Sequence, residues 1–130
     1  MKVKINMITN DSYIKLQYNI SETADKTLIK PGCVVYFDEQ GNITTYKNDT
    51  SSVNINKLVG IVVEDVTDGS CNIAVSGIAP LNINFNVKQG DIIGVNDIGE
   101  LVIKTVMDRY TIGQVIINTD EACYVQIKNM

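Results

Sequence analysis

Apolar and polar residues alternate over short runs along this chain, a pattern that predicts β-strands with one buried face. The run over 13–20 places four apolar residues on one side of such a strand: Ile14, Leu16, Tyr18 and Ile20. The run over 81–87 alternates without interruption, with asparagines on the opposite side, and predicts the clearest amphipathic strand in the chain. The run over 58–63 is apolar except at Gly60, which predicts a strand buried on both faces.

Residues 34–44 predict a tight β-hairpin. The first strand is β-branched and aromatic, which suits a pleated, half-buried surface: Val34, Val35, Tyr36 and Phe37. The next four residues, 38–41, read Asp-Glu-Gln-Gly, with an acceptor side chain first and a glycine last. That order predicts a type I turn that runs into a left-handed glycine, with the return strand beginning at Asn42.

The hairpin pattern occurs a second time, and two other apolar runs recur with it. The recurring pairs are Gly32 and Gly90, Gly41 and Gly99, 58–63 and 111–116, and 71–75 and 123–127. The glycine pairs are 58 residues apart and the later pairs 53 and 52 residues apart, so the second copy has a shorter middle loop. We interpret the pattern as two copies of one β unit that close a shared core.

The predicted fold class is all-β, a small β-barrel or β-sandwich built from two pseudo-repeated hairpin units. Strands are short, and turn signals recur about every 8–12 residues. No linker or change in composition divides the chain. We expect a single domain over 28–130 with the duplicated units at 28–77 and 86–128, preceded by an N-terminal strand or arm over 1–27.

Charge and hydropathy limit the partners. The 130-residue chain has a net charge of −4, and its basic residues are scattered. Phosphate binding needs clustered lysine and arginine, so we expect no nucleic-acid partner. No apolar run approaches the ~20 residues of a membrane span, and no signal peptide is apparent. We therefore expect no membrane partner, and we expect the protein to be made and kept in the cytoplasm or released by a route other than ordinary secretion.

Candidate catalytic chemistry is sparse. The chain has no histidine, which removes the commonest general base and the Ser-His and Cys-His nucleophile pairs. The cysteines each open an apolar run and are interpreted as small buried hydrophobes: Cys33, Cys71 and Cys123. Three pairs of adjacent carboxylates lie at predicted strand ends or turns: Asp38/Glu39, Glu64/Asp65 and Asp120/Glu121. We predict no catalytic residues, no cofactor and no metal site.

Aromatic residues leave one binding function open. The chain has six tyrosines: Tyr13, Tyr18, Tyr36, Tyr46, Tyr110 and Tyr124. Because no run of lysine and arginine flanks them, we do not expect them to stack nucleic-acid bases. A sugar-binding face made from exposed tyrosines stays open.

The order of four sequence motifs along the chain points to a family. They are Pro-Gly-x-Val-Val-Tyr-x-Asp-x-x-Gly-x-Ile from Pro31, Leu-Val-Gly-Ile-Val from Leu58, Ile-Ala-Val-Ser-Gly from Ile73, and a Gly-Asp-x-Ile hairpin from Gly90. This order resembles bacteriophage capsid cement proteins, also called head decoration proteins. The resemblance runs from residue 28 to about residue 127. The chain departs from the usual Ala/Gly-rich members in carrying Ile, Asn and Lys, and its first 25 or so residues have no counterpart.

The resemblance implies a non-enzymatic structural protein of the virion that binds the outer surface of a phage head and stabilises the capsid lattice. Its implied partners are the major capsid protein and further copies of itself, with a trimer favoured. The charge agrees with an outer position, because packaged nucleic acid would repel an acidic protein over a Debye length of ~10 Å. We expect the loop over 46–52 and the N-terminal segment to make contacts.

Two alternatives remain. One is a receptor- or glycan-binding β module of a phage tail or head fibre, which would use exposed tyrosines as its platform. The other is a small nucleotide-hydrolysing β-barrel enzyme, for which the chain carries no ordered Asp/Ser/Gly motif.

Overall fold

The structure is a computed structural model that describes residues 13–45, 58–96, 99–120 and 122–128. These residues form nine strands: β1 (Tyr13–Asn19), β2 (Val34–Phe37), β3 (Ile43–Thr44), β4 (Leu58–Val62), β5 (Ser70–Leu81), β6 (Ile92–Val95), β7 (Leu101–Lys104), β8 (Thr111–Asn118) and β9 (Cys123–Ile127). A 3₁₀ turn, Lys26–Leu28, lies between β1 and β2. The predicted all-β class is confirmed, because the strands form a curled antiparallel sheet with the shape of a half-barrel.

When the sheet is followed inwards from either end, equivalent strands of the two repeats occur in the same order. It runs β3-β2-β4-β5-β9-β8-β6-β7. Strands β2–β5, the first repeat, and β6–β9, the second repeat, therefore have equivalent internal orders and meet where β5 pairs with β9. Strand β1 lies off this path and pairs with β5. The two sequence copies are thus the two halves of one sheet.

The hairpin turns of the two repeats share one geometry. In the first, the Gly41 N–H donates to the Asp38 carbonyl at 3.2 Å, and in the second the Gly99 N–H donates to the Asn96 carbonyl at 3.0 Å. Gly41 and Gly99 both have a φ of 81°. A glycine adopts this left-handed conformation without the steric cost that a side chain would add. The predicted left-handed glycine is confirmed in both hairpins.

A second glycine lies at an equivalent place in each repeat, where two strands approach closely. Gly60 lies on β4 and Gly113 on β8. A Cβ atom at Gly60 would overlap the carbonyl oxygen of Ala74, and one at Gly113 would overlap that of Gln126. Both repeats therefore need a glycine where these two strands approach each other.

The interior consists of two clusters. The larger one, the shared cluster, joins both repeats: Tyr36, Leu58, Ile61, Ala74, Ala79, Leu81, Ile93, Val95, Ile112, Val115, Cys123, Val125 and Ile127. The smaller one, the first-repeat cluster, includes both ends of the segment that leads from β1 to β2: Ile20, Ile29, Val35, Ile43, Val62, Cys71 and Ile73. The prediction of one shared interior is therefore incomplete.

Equivalent positions of the repeats lie in different clusters. Ile73 belongs to the first-repeat cluster, whereas its equivalent, Val125, belongs to the shared cluster. On the other face Ala74 is fully buried, whereas its equivalent, Gln126, is exposed. The second repeat thus packs one apolar face against a first repeat that is apolar on both faces.

An irregularity in β5 allows this strand to serve both clusters. Against β1, the register passes from Ala74 to Ser76 and leaves Val75 as an extra residue. An extra residue reverses the alternation of side chains between the two faces of a strand. Ile73 consequently faces the first-repeat cluster, while Ala79 faces the shared cluster.

The predicted strand over 81–87 is wrong. Strand β5 ends at Leu81, and residues 82–87 pair with none of the described strands. Their burial nevertheless alternates as predicted, with asparagines exposed and Ile83, Phe85 and Val87 half-buried. Alternation reports which side chains contact the interior, whereas a strand also needs a neighbour that supplies backbone hydrogen bonds.

Strand β1 forms as predicted, but its burial does not alternate, because the predicted apolar face leaves the interior towards the first residue of the strand. Exposure of the predicted apolar face rises from 6% at Ile20 to 47% at Leu16 and 61% at Ile14. By contrast, β4 is buried on both faces as predicted. Residues 1–12 and the predicted contact loop over 46–52 lie outside the described residues.

Replacing Gly60 or Gly113 with alanine should lower the free energy of unfolding by about 3 kcal/mol, because the new methyl group must displace neighbouring backbone. Gly41→Ala is the matched control, since its positive φ strains alanine but nothing lies within 4 Å of the added atom. We expect that control to lose about 1 kcal/mol. Urea unfolding followed by circular dichroism measures each change, and equal losses at the three positions would contradict the close crossing.

Exchanging equivalent residues tests the difference between the repeats. Ala74→Gln should cost about 3 kcal/mol or more, because it overfills the shared cluster and buries an amide without a partner. Gln126→Ala should change stability by less than about 0.5 kcal/mol, as expected at an exposed site. Urea unfolding measures both changes. Similar losses of unfolding free energy for the two exchanges would show that the equivalent faces of the two repeats are buried to the same extent.

Candidate functional site

The first pair of carboxylates belongs to a turn. Asp38 accepts hydrogen bonds through Oδ1 from the N–H of Gln40 at 2.8 Å and from the N–H of Asn42 at 2.9 Å. Glu39 beside it is exposed to solvent. The Asp38 carboxylate therefore stabilises the hairpin, and the neighbouring acid lies apart from it in solvent.

The second pair lies where β4 ends. Glu64 forms an ion pair with Lys15 of β1 and accepts a hydrogen bond from Asn72 Nδ2 at 3.0 Å. The hydrogen bond with Lys15 lowers the pKa of Glu64 and raises the pKa of Lys15. Both side chains are close to half exposed, so this pair links two strands at the surface. Asp65 is also exposed.

The three cysteines are free thiols. Cys71 is buried in the first-repeat cluster and Cys123 in the shared cluster. Burial raises the pKa of both thiols, which keeps them protonated and unreactive. Cys33 is half-buried directly before β2. Two of the three are thus buried hydrophobes, as expected.

The tyrosines do not gather into one platform. Tyr36 lies in the shared cluster and its hydroxyl donates to the Gly99 carbonyl at 3.5 Å, while Tyr18 contacts Phe37 edge-on with ring centres 5.3 Å apart. Tyr46 lies outside the described residues. The remaining three are half-buried on separate elements: Tyr13, Tyr110 and Tyr124.

Basic residues that are scattered in the sequence come together around one tyrosine. The Arg109 guanidinium and the Lys104 ammonium lie 5.1 Å and 5.6 Å from the centre of the Tyr110 ring. Lys104 also pairs with Asp108 at 3.1 Å, and Lys128 donates to the Asp108 carbonyl. We call these five residues the Tyr110 cluster. Its own cations lie over the ring, which favours a structural role over stacking on a ligand.

The charge state of Asp108 follows from this cluster. Desolvation alone would raise the pKa of its carboxyl group. The Tyr110 N–H, which donates to Oδ1 at 2.8 Å, together with the ammonium groups of Lys104 and Lys128, outweighs desolvation and lowers that pKa. The carboxylate therefore stays ionised and fixes the loop between β7 and β8.

Sequence reasoning missed the Tyr110 cluster. Four of its members lie within seven residues, 104–110, and that local grouping of opposite charges around a tyrosine was the available signal. The fifth member, Lys128, is placed by the sheet, where its N–H donates to the Ile112 carbonyl at 2.9 Å.

A groove with a volume of about 440 Å³ lies between residues 82–87 and the turn that joins β8 to β9. Asn118 closes one side, because its Nδ2 donates to the Val87 carbonyl at 2.9 Å. Asp120 lines the groove without a second carboxylate among its described lining residues, and Glu121 lies outside the described residues. Among its described lining residues, the groove therefore has no carboxylate pair for acid–base chemistry.

A second concave surface, of about 410 Å³, lies beside the first hairpin. Three carboxylates line it: Glu22, Asp38 and Glu39. Within the described parts of the chain, no cluster of three or more His, Cys, Asp or Glu side chains has the arrangement of a metal site. This surface is an acidic patch on the exterior.

Large apolar side chains remain exposed at two edges of the sheet. The β1 surface consists of Ile14 and Leu16, and the β7 surface consists of Ile103, Val106 and Met107. Both surfaces lie on or next to strands that have one partner each among the described strands. Exposed apolar groups on such edges are typical of sites that contact another chain.

Comparison with protein families, curated proteins and solved structures found no match to this chain. Within the described residues, no helix has the length and apolar character needed to span a membrane.

Replacing Asp108 with asparagine keeps the acceptor for the Tyr110 N–H and removes the charge. Because the pKa of Asp108 is lowered in the folded state, its ionised form stabilises the fold above the usual aspartate pKa of about 4. That stabilisation is lost as pH falls through the lowered folded value. The difference in melting temperature between wild type and Asp108→Asn should be steady from about pH 6 to 8 and shrink below about pH 4. Thermal scans at each pH measure it, and a difference independent of pH would contradict the role of the charge.

Proposed function

We propose that this protein is a capsid decoration protein, a non-enzymatic virion component that binds the outer surface of a phage head. The major capsid protein is its partner. The observation that carries the proposal is the β1 surface, where Ile14 and Leu16 are 61% and 47% exposed on an edge strand. Burying two such side chains against a partner gives each copy a few kcal/mol of adhesion.

Internal pairing of the polar groups supports adhesion over catalysis. The Asp38 carboxylate is used by its turn, Glu64 by Lys15, and Asp108 by the Tyr110 cluster. General acid–base catalysis needs a proton donor or acceptor that can reach a substrate. Within the described residues, these groups instead hold turns and strands together.

Charge supports an outer position on the head. The chain has a net charge of −4, and the acidic patch beside the first hairpin lies on its exterior. At the inner wall such a surface would face packaged nucleic acid, and repulsion would act over about a Debye length. At the outer wall that repulsion is weaker, because the shell separates the two charges.

The major capsid protein is proposed as the partner because the sequence motifs of this chain resemble those of capsid cement proteins. A phage head presents many identical sites, so a modest contact per copy is enough when copies bind side by side and reinforce one another. In the sheet of two repeats, β1 presents apolar side chains at an edge that is open to such a contact.

The double variant Ile14→Lys/Leu16→Lys should weaken binding to phage heads by about tenfold or more, because two apolar contacts are replaced by charges that must be desolvated. The measurement is co-sedimentation of the purified protein with heads assembled without it. Gln17→Lys/Asn19→Lys is the matched control, since it adds the same charge to the opposite face of the same strand. Melting temperatures show that both variants fold.

Mass spectrometry of purified virions tests the proposal at the level of the whole particle. A capsid-like copy number is the expected result. The protein's absence from virions, or an equal loss of binding in both double variants, would overturn the proposal.

A further inference from the structure

We infer that the groove between residues 82–87 and the β8–β9 turn binds an uncharged sugar, with the apolar face of a pyranose ring against Phe85. The groove shares no residue with the β1 surface, so its occupant goes beyond the proposed function and does not depend on it. Three observations carry the inference: the placement of Phe85, the unused polar groups of the groove, and the charge of its lining.

The groove exists because residues 82–87 are attached at their two ends. At one end the Asn82 N–H donates to the Gly32 carbonyl at 2.8 Å, and at the other the Asn118 Nδ2 donates to the Val87 carbonyl at 2.9 Å. Between these two bonds the segment pairs with none of the described strands. It therefore forms one wall of the groove, and the β8–β9 turn forms another.

The contact at the first end depends on Gly32. This glycine has a φ of 92°, and a Cβ atom on it would lie 3.0 Å from the Cβ of Asn82. Its equivalent in the second repeat, Gly90, has nothing within 4 Å of such an atom. The close approach that shapes the groove is thus present at Gly32 and not at Gly90.

Phe85 is an aromatic side chain that the interior does not use. Its apolar neighbours in the segment, Ile83 and Val87, pack against the shared cluster. Phe85 is half-buried, yet it packs against neither interior cluster of the described residues. The chain bends at this residue, and its side chain lines the groove. An aromatic side chain that lines a concave surface instead of filling the core is typical of ligand sites.

Polar groups in the same groove are unused. Within the described residues, the Asn82 amide and the Asp120 carboxylate form no hydrogen bond or ion pair. The Asn118 amide donates through Nδ2 to Val87 and keeps its oxygen as an acceptor. An amide both donates and accepts, as a hydroxyl group does, and a carboxylate accepts strong hydrogen bonds from hydroxyl groups. The groove is therefore equipped for a ligand with several hydroxyl groups.

The charge of the groove argues against an anionic ligand. Among its described lining residues, Asp120 is the one charged side chain, and no lysine or arginine is present to bind a phosphate or carboxylate group. A wholly apolar ligand fits no better, because it would desolvate Asn82 and Asp120 without offering them a partner. The ligand must be uncharged, with one apolar face and a polar rim.

A pyranose ring meets these requirements. One of its faces presents C–H groups, and the negative face of an aromatic ring attracts such weakly positive groups. Its hydroxyl groups lie around the rim of the ring, where amides and a carboxylate are suitable partners. The groove volume of about 440 Å³ lies within the range of about 300–1,000 Å³ that is typical of small-molecule sites.

The first experiment follows the backbone N–H signals of the full chain by ¹H–¹⁵N NMR during titration with three sugars, each to about 50 mM, a range that covers weak association. The probes are methyl β-glucopyranoside, methyl β-galactopyranoside and methyl α-mannopyranoside. At least one should cause saturable shifts at Ile83, Phe85 and Ala122. Sorbitol is the matched control ligand, because it carries hydroxyl groups without a ring face, and it should cause no saturable shift there.

The second experiment repeats the titration with variants of Phe85. Phe85→Ala should raise the dissociation constant of the bound sugar by about fivefold or more, because the stacking surface is lost. Phe85→Tyr keeps the ring and should stay within about twofold of the wild type. The dispersion of the NMR signals shows whether each variant is folded.

The carboxylate is tested in the same way. Asp120→Ala should raise the dissociation constant by about threefold or more, because a charged acceptor is removed. Asp65→Ala is the matched control, since Asp65 is also exposed but lies outside the groove, and it should leave the affinity unchanged.

Saturable shifts at the groove that weaken in Phe85→Ala and persist in Phe85→Tyr support the inference. The inference is overturned by the absence of saturable shifts with all three sugars, by equal shifts with sorbitol, by shifts centred on Tyr110 or Tyr124, or by an affinity that Phe85→Ala leaves unchanged. Neither titration contains phage heads, so failure here is separate from failure of the proposed function.

Discussion

Strand β5 is buried on both faces, and the rest of the fold depends on this. Ile73 and Ala74 are consecutive, fully buried, and point to opposite sides of the sheet. One side must be covered by the second repeat and the other by a different part of the chain. The segment between β1 and β2 meets the second need, since Ile20 and Ile29 belong to the first-repeat cluster.

This requirement explains how two similar copies came to occupy different environments. A sheet that folded as two identical halves would leave one apolar face of the first repeat in water, with a loss of about 25 cal/mol for every Å². The extra residue Val75 lets β5 present Ile73 to one cluster and Ala79 to the other. The second repeat carries Gln126 where the first carries Ala74, so its outer face remains polar.

The same asymmetry determines which edges are free. In the first repeat the segment after β1 covers β3, whereas β7, its counterpart, ends the sheet with an exposed edge. Strand β1 adds a second edge, whose apolar face leaves the interior as it approaches Ile14. The proposed contact with a capsid uses the β1 edge, which lies on a different strand from the β7 edge.

Short-range features of this protein were determined by the sequence itself. The turns follow from Asp38, Gly41 and Gly99, because a left-handed glycine and an acceptor side chain specify a hairpin turn whatever lies around it. The all-β class and the buried strand β4 follow from runs of β-branched residues. The lack of histidine, which removes the commonest general base, is likewise a matter of composition.

Tertiary structure alone decided the long-range features. Residues 82–87 have a strand's alternation but no neighbouring strand to bond with, and Lys128 reaches Asp108 only because the sheet brings β9 beside β8. The repeats look alike in sequence, yet which face of each is buried depends on what else covers it. Local patterns record the shape of a strand, whereas burial and pairing depend on partners that lie far away along the chain.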